Sequence, residues 1–288
     1  MKPAAFDYHR PETLAAALEC LAALTNARPL AGGQSLMPMM NFRFVTPEHV
    51  VDLNRIGELA AIEETEDGLR VGAMVRQRAL ERAPWVAARY PLMREALGHV
   101  GHVQTPNRGT LGGSLSHLDP AAELPAVLAA QDAVLEVRST RGARRVPMSE
   151  WCLGYMTPNL GDGELLCAVQ MPAWSVGHGY AFEEVARRHG DIALAGAAVL
   201  VSLDAGGMVE RVAIALAGVG DAVLRLHEAE QMLIGQAAAA AQVERAAKLA
   251  GNVPGFADAH ASEAYRQKLA VVVTRRALFK AIERARAA

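Results

Sequence analysis

The stretches Ala31-Gly32-Gly33-Gln34-Ser35-Leu36 and Thr110-Leu111-Gly112-Gly113-Ser114-Leu115 share one pattern. Each joins an apolar approach to a Gly-Gly pair and then a small hydroxylic residue. Glycine reaches positive φ and lets a ligand approach the backbone with no Cβ in the way. Successive N–H groups in such a turn form a concave anion site. Ser35 and Ser114 would add hydroxyl donors. Two such loops can hold the two phosphates of one dinucleotide. The plainer reading is a pair of ordinary tight turns, since neither segment is a GxGxxG or a P-loop. Asp119-Pro120-Ala121-Ala122-Glu123 follows the second pair. A carboxylate there suits ribose or ribityl hydroxyls. Equally, Asp119 can cap a helix with Pro120 at its first position, and both readings can hold together.

The rest of the chain is organised around these segments. Its 288 residues suggest about two domains. The composition is 51% hydrophobic and 21% charged, with a net charge of −2. That is globular, and it lacks the basic excess that nucleic-acid binding needs. Three scattered cysteines, Cys20, Cys152 and Cys167, exclude a disulfide scaffold, a CxxC pair and a Cys-ligated metal cluster. The N-terminal MKPAAFDYHRPETL has no apolar signal region, and no apolar run reaches the ~18 residues of a membrane span. The expectation is a soluble, cytoplasmic protein of mixed α/β type.

Pro11 and Glu12 open a helix over LAAALECLAAL, and Arg28 to Ala31 read as a short buried strand. Val50 to Leu53 and Leu69 to Gly72 read as strands, with two helical pieces over residues 76–98 broken at Pro91. Residues 99–125 hold four glycines and three prolines and read as loop. Ala133 to Val146 reads as a hairpin, and Leu165 to Val169 as a strand. A boundary falls at about 172–180. Beyond it, Ala193–Leu203 and Val209–Leu216 are strands around a turn, and residues 236–250 are helical. Glu263 to Arg286 reads as an amphipathic helix whose seven basic residues form a solvated face. His99, His102 and His117 are a weak metal pattern, with no HExxH, and read better as loop or cofactor-side histidines. No catalytic triad and no GxSxG is evident, so neither catalytic nor metal-ligating residues are assigned. A cofactor would have to supply any difficult chemistry.

The paired glycine motifs resemble those of the FAD-binding medium subunit of molybdenum hydroxylases, the xanthine dehydrogenase and carbon monoxide dehydrogenase medium-chain family. The likeness runs through ARPLAGGQSLMPMMNFR at 27–43, PEHVVDLNRI at 47–56 and VGAMVRQRAL at 71–80. It continues through TPNRGTLGGSLSHLDPAAELPAVL at 105–128 and ARRHGDIALAGAAV at 186–199, and ends at Tyr265-Arg266. The resemblance implies an α+β fold. A two-lobed FAD-binding domain would span 1–175, with lobes of about 1–55 and 56–175. A C-terminal domain with a three-stranded antiparallel sheet and a helix bundle would span 180–288. It also implies that Ala31, Gly32, Gly33, Gln34 and Ser35 form the first pyrophosphate loop, with Leu36 next to it on the cofactor, and Thr110, Leu111, Gly112, Gly113 and Ser114 the second. Glu123 would hold the flavin's polyol chain, with Asp119 and Ala121 in the same loop.

Three positions depart from the family pattern. Ser114 replaces the usual Asn. Ile192 stands where carbon monoxide dehydrogenases carry a Tyr near the flavin ring. Glu183 and Glu184 stand where several relatives have a Lys. The function implied is electron transfer from [2Fe–2S] clusters on a small partner subunit, through FAD on this chain, to an external acceptor. A large partner would hold molybdopterin, in a dimer of heterotrimers. The alternatives are a self-sufficient FAD-dependent oxidase or reductase and a scaffold that has lost FAD. The organic substrate would bind elsewhere and is not readable here.

Overall fold

A computed structural model describes residues 1–288. The first lobe contains β1 (Asp7–His9), α1 (Leu14–Ala23), β2 (Ala27–Leu30), α2 (Leu36–Asn41) and β3 (His49–Asp52). Its three strands are parallel in the order β1-β3-β2. Helix α1 starts later than Pro11 and Glu12 suggest, because the Thr13 hydroxyl accepts the Ala16 N–H at 3.2 Å and caps it. Leu14, Ala17 and Leu18 pack on Val51, Leu53, Ile56 and Leu59. Strand β2 is not the buried strand expected. It is an edge, with Arg28 and Pro29 exposed, which is where a strand tolerates proline.

The second lobe contains β4 (Ile62–Thr65), β5 (Gly68–Gly72), α3 (Gln77–Arg82), α4 (Pro84–Arg89), α5 (Pro91–Leu97), α6 (Thr105–Arg108), α7 (Leu111–His117) and α8 (Glu123–Ala130). It continues through β6 (Val134–Ser139), β7 (Gly142–Pro147), β8 (Cys152–Gly154), β9 (Thr157–Pro158) and β10 (Leu165–Pro172). The main sheet is antiparallel in the order β4-β5-β10-β6-β7. Residues 76–98 form three helices rather than two, because Pro84 as well as Pro91 takes a first helical position. The region 99–125 is not all loop, since it contains α6 and α7. Trp151 is fully buried and its indole N–H donates to the Leu115 carbonyl at 2.8 Å, fixing α7 to the sheet.

Beyond the second lobe lie β11 (Gly179–Ala186), β12 (Ala193–Leu203), β13 (Val209–Ala217), β14 (Leu224–Arg225), α9 (His227–Leu233), α10 (Ala240–Leu249) and α11 (Glu263–Ala287). The sheet is antiparallel, with three long strands and the two-residue β14 at one edge. Strand β12 is buried on both faces. Ala198 and Leu200 join the core of α5 and α8, while Ala195, Ala197, Val199 and Val201 join that of α9, α10 and α11. Its alanines let helices lie close on either side. The basic residues of α11 do not form one solvated face. Arg266 is 2% exposed and donates to the carbonyls of Leu194 at 2.9 Å and Gly218 at 2.6 Å, with Asp258 as its counter-ion. Lys280 and Arg284 pair with Glu95 on α5. No helix is long and apolar enough to cross a membrane.

Candidate functional site

The two glycine segments meet in space. A Cβ on Gly32 would lie 2.2 Å from the Arg108 carbonyl oxygen, and one on Gly113 would lie 3.6 Å from the Ala31 Cβ. Here the likeness between the segments ends. Residues Ala31–Ser35 form an irregular turn between β2 and α2, with Gly33 at φ +72°. The N–H groups of Gly32, Gly33, Gln34, Ser35 and Leu36 donate to nothing within the chain. Five consecutive free N–H groups at a helix start suit a bound anion, because the helix dipole reinforces them.

Thr110–Ser114 is not a turn. Thr110 is the N-cap of α7, and Gly112 and Gly113 lie in its first turn at ordinary negative φ. The N–H groups from Leu111 to Ser114 are used internally. Leu111 donates to Val75 at 3.0 Å, Gly112 to Ala73 at 2.8 Å, Gly113 to the Thr110 hydroxyl at 3.0 Å, and Ser114 to the Thr110 carbonyl at 3.2 Å. Gly112 is needed for packing, since its Cβ would lie 2.4 Å from that of Ala73. The half-buried Ser114 hydroxyl makes no hydrogen bond within the chain and is one polar group this segment has left to offer.

A polar network holds the first segment in place. The Asp52 carboxylate accepts from the Tyr8 hydroxyl and from the Asn54 N–H, the latter at 2.9 Å. These bonds outweigh burial and hold the Asp52 carboxyl below its usual range. Asn54 in turn donates through Nδ2 to the Ala31 carbonyl at 3.0 Å. Arg76 bridges the two segments by donating to the Asn54 side chain and to the Arg108 carbonyl. Sequence reasoning gave no role to Asn54 and Arg76, although both lie in stretches that carry the family likeness. The one signal was Asp52, a charge inside an apolar strand.

Asp119 does not cap α8, whose N-cap is Ala122. Its carboxylate accepts the Ala121 N–H at 2.9 Å and closes the turn after α7. Glu123 opens α8, and burial raises its pKa to about 7. Ile192 is 71% exposed on the loop between β11 and β12. That loop packs on the α5–α6 connection, where a Cβ on Gly190 would lie 2.7 Å from the Gly101 carbonyl oxygen. Glu183 and Glu184 differ in surroundings. Lys280 sits 3.1 Å from Glu183, whereas Glu184 points inward. His99 lies beside Glu184, and no three metal-capable side chains gather anywhere in the chain.

Residues 4–174 match the family described as the FAD binding domain in molybdopterin dehydrogenase. Residues 180–281 match the CO dehydrogenase flavoprotein C-terminal domain. The chain is 42% identical to the caffeine dehydrogenase subunit beta of a Pseudomonas species, over 99% of this chain and 97% of that one. It is 38% identical to the 6-hydroxypseudooxynicotine dehydrogenase complex subunit alpha of Paenarthrobacter nicotinovorans, over the same shares. Among solved structures, it aligns with a chain of the reconstituted CO dehydrogenase from Oligotropha carboxidovorans at a TM-score of 0.96 and 38% identity. That alignment covers 99% of this chain and 100% of the other.

Proposed function

Because the chain belongs to the FAD-binding medium subunits of the molybdenum hydroxylases, we infer that it is the electron-transfer subunit of such an enzyme. It takes electrons from [2Fe–2S] clusters on a small subunit and delivers them to an external acceptor. A large subunit with molybdopterin completes a heterotrimer, which pairs into a dimer. The observation that carries the FAD assignment is the run of free N–H groups from Gly32 to Leu36, a donor set that fits a pyrophosphate. Asn54 and Arg76 hold that run in shape, and the charge of Arg76 favours an anion beside it. Ser114 offers a hydroxyl from the second segment. Asp119, Ala121 and Glu123 line the next turn, where a carboxyl group suits a polyol. Bound FAD supplies redox chemistry that accepts electrons singly and passes them on in pairs. The free cysteines Cys20, Cys152 and Cys167 are too few and too scattered to hold two clusters, so the clusters belong to another chain.

A visible spectrum of the purified chain, followed by acid release, tests this reading. Flavin bands with releasable FAD are expected, together with iron–sulfur and molybdenum subunits that co-purify with the native complex. A native complex without FAD would overturn the reading.

A further inference from the structure

Asp52 closes β3 and stands opposite Leu30, the last residue of β2, so it borders the turn that carries the free N–H groups. It is 6% exposed. Buried negative charge next to donors that suit an anion needs a reason, because like charges repel. The one cation that approaches it is loosely held: the Arg10 guanidinium stands 4.0 Å away and is half exposed. Hydrogen bonds hold the carboxylate instead. Its Oδ2 accepts from the Tyr8 hydroxyl on the neighbouring β1, and its Oδ1 accepts from both the backbone N–H and the side-chain Nδ2 of Asn54.

Those bonds decide how the Asn54 amide lies. Nδ2 has two hydrogens, one for Asp52 and one for the Ala31 carbonyl at 3.0 Å. Oδ1 is thereby turned to Arg76, from which it accepts, and Arg76 donates onward to the Arg108 carbonyl. Turned over, the amide would set its oxygen against two acceptors and its NH2 group against a guanidinium. The two carbonyls held in this way flank the turn. Ala31 precedes Gly32, and a Cβ on Gly32 would lie 2.2 Å from the Arg108 carbonyl oxygen. One carboxylate therefore fixes both sides of the turn through one amide.

We propose that Asp52, braced by Tyr8, is a positioning residue for the flavin phosphates, a role that rests on reading residues 32–36 as the pyrophosphate site. Asp52 locks Asn54 in the one orientation that shapes those residues for the ligand. Neither Asp52 nor Tyr8 bonds the phosphates in this role; both act through Asn54.

The sign of one substitution separates positioning from charge. Asp52→Asn removes a negative charge, so a carboxylate that acted by charge alone would give way to tighter FAD binding. The same substitution replaces an acceptor oxygen by an NH2 group, which cannot accept from Tyr8 or from Asn54. Positioning therefore predicts weaker binding. On the full-length chain, fluorescence titration should show the FAD Kd rising about tenfold, the size of one lost hydrogen bond to a charged group. Tyr8→Phe, at a half-exposed position that tolerates the change, should raise it roughly threefold. The phosphorus NMR signals of FAD bound to Asp52→Asn should shift while the flavin absorption bands stay, whereas general damage to the fold would move both. Unchanged or tighter FAD binding in Asp52→Asn overturns the proposal. If that variant folds poorly, unchanged binding in Tyr8→Phe overturns it.

A second arm needs no FAD. The Asn54 side-chain NH2, bonded twice in the wild type, should exchange slowly with water by NMR, and Asp52→Asn should speed that exchange about tenfold. Equal rates in the two proteins overturn the proposal. Wild-type chain that binds FAD without protecting the amides of residues 32–36 overturns the pyrophosphate reading itself, and the role of Asp52 with it.

Discussion

The two glycine segments look alike in sequence and do opposite things with their backbone. Residues 32–36 leave five N–H groups in a row without a protein partner, and Gly33 bends the segment at φ +72°. Leu111–Ser114 spends its N–H groups on Ala73, Val75 and the Thr110 cap, and its glycines exist for close packing. The first segment keeps its donors free and the second is the wall it leans on. Gly-Gly in a sequence therefore marks a close approach, but not what approaches. At Gly32 and Gly112 the approaching group is protein: the Arg108 carbonyl in one case and Ala73 in the other.

Substitutions can break this contrast, and Gly112→Val should have the largest effect. Its side chain meets Ala73 inside the packed interior, and overpacking of this kind costs about 1–3 kcal/mol or more. Thermal unfolding should show a Tm several degrees lower whether or not FAD is present, so any flavin loss here follows from damage to the fold. Gly33→Ala should come next. It forces a Cβ into positive φ at roughly 1–2 kcal/mol, yet that Cβ meets only flexible side chains, Met37 and Leu30. Its flavin affinity, read by fluorescence titration, should fall by more than its Tm loss explains. Thr110→Ala should cost about 1 kcal/mol through loss of the α7 cap, measured by urea unfolding. Ile192→Tyr should change stability by less than about 0.5 kcal/mol, because the position is exposed. Its value lies in the flavin absorption spectrum, which should shift if residue 192 lies beside the ring.

Much of the fold was legible because its signals are local. The strands at Val50–Asp52, Leu69–Gly72, Leu165–Val169 and Ala193–Leu203 are apolar runs, and the hairpin around Thr140-Arg141 follows from two strands flanking polar turn residues. What failed depends on partners distant in sequence. Strand β2 is exposed because β3 lies between it and β1, an order that no local pattern encodes. Arg266 looks like one more charge on a basic helix, yet it is buried by the carbonyls of Leu194 and Gly218. At the site, the family motifs identified both glycine segments, but a motif does not say which N–H groups are already used. Asn54 and Arg76 lie in family-like stretches, but their roles were not legible for a related reason: each role comes from the Ala31 or Arg108 carbonyl that the side chain reaches. Glu184 was legible only as a departure from the family pattern, and its burial comes from the packing of β11 on the helices.

Amide-resolved hydrogen exchange of the chain with and without FAD tests the central contrast most directly. Exposed amides without partners exchange fast until a ligand covers them, whereas internally bonded ones are already slow. The account predicts that FAD protects the N–H groups of residues 32–36 strongly and changes those of 111–114 little. Strong new protection at 111–114 with none at 32–36 would contradict it.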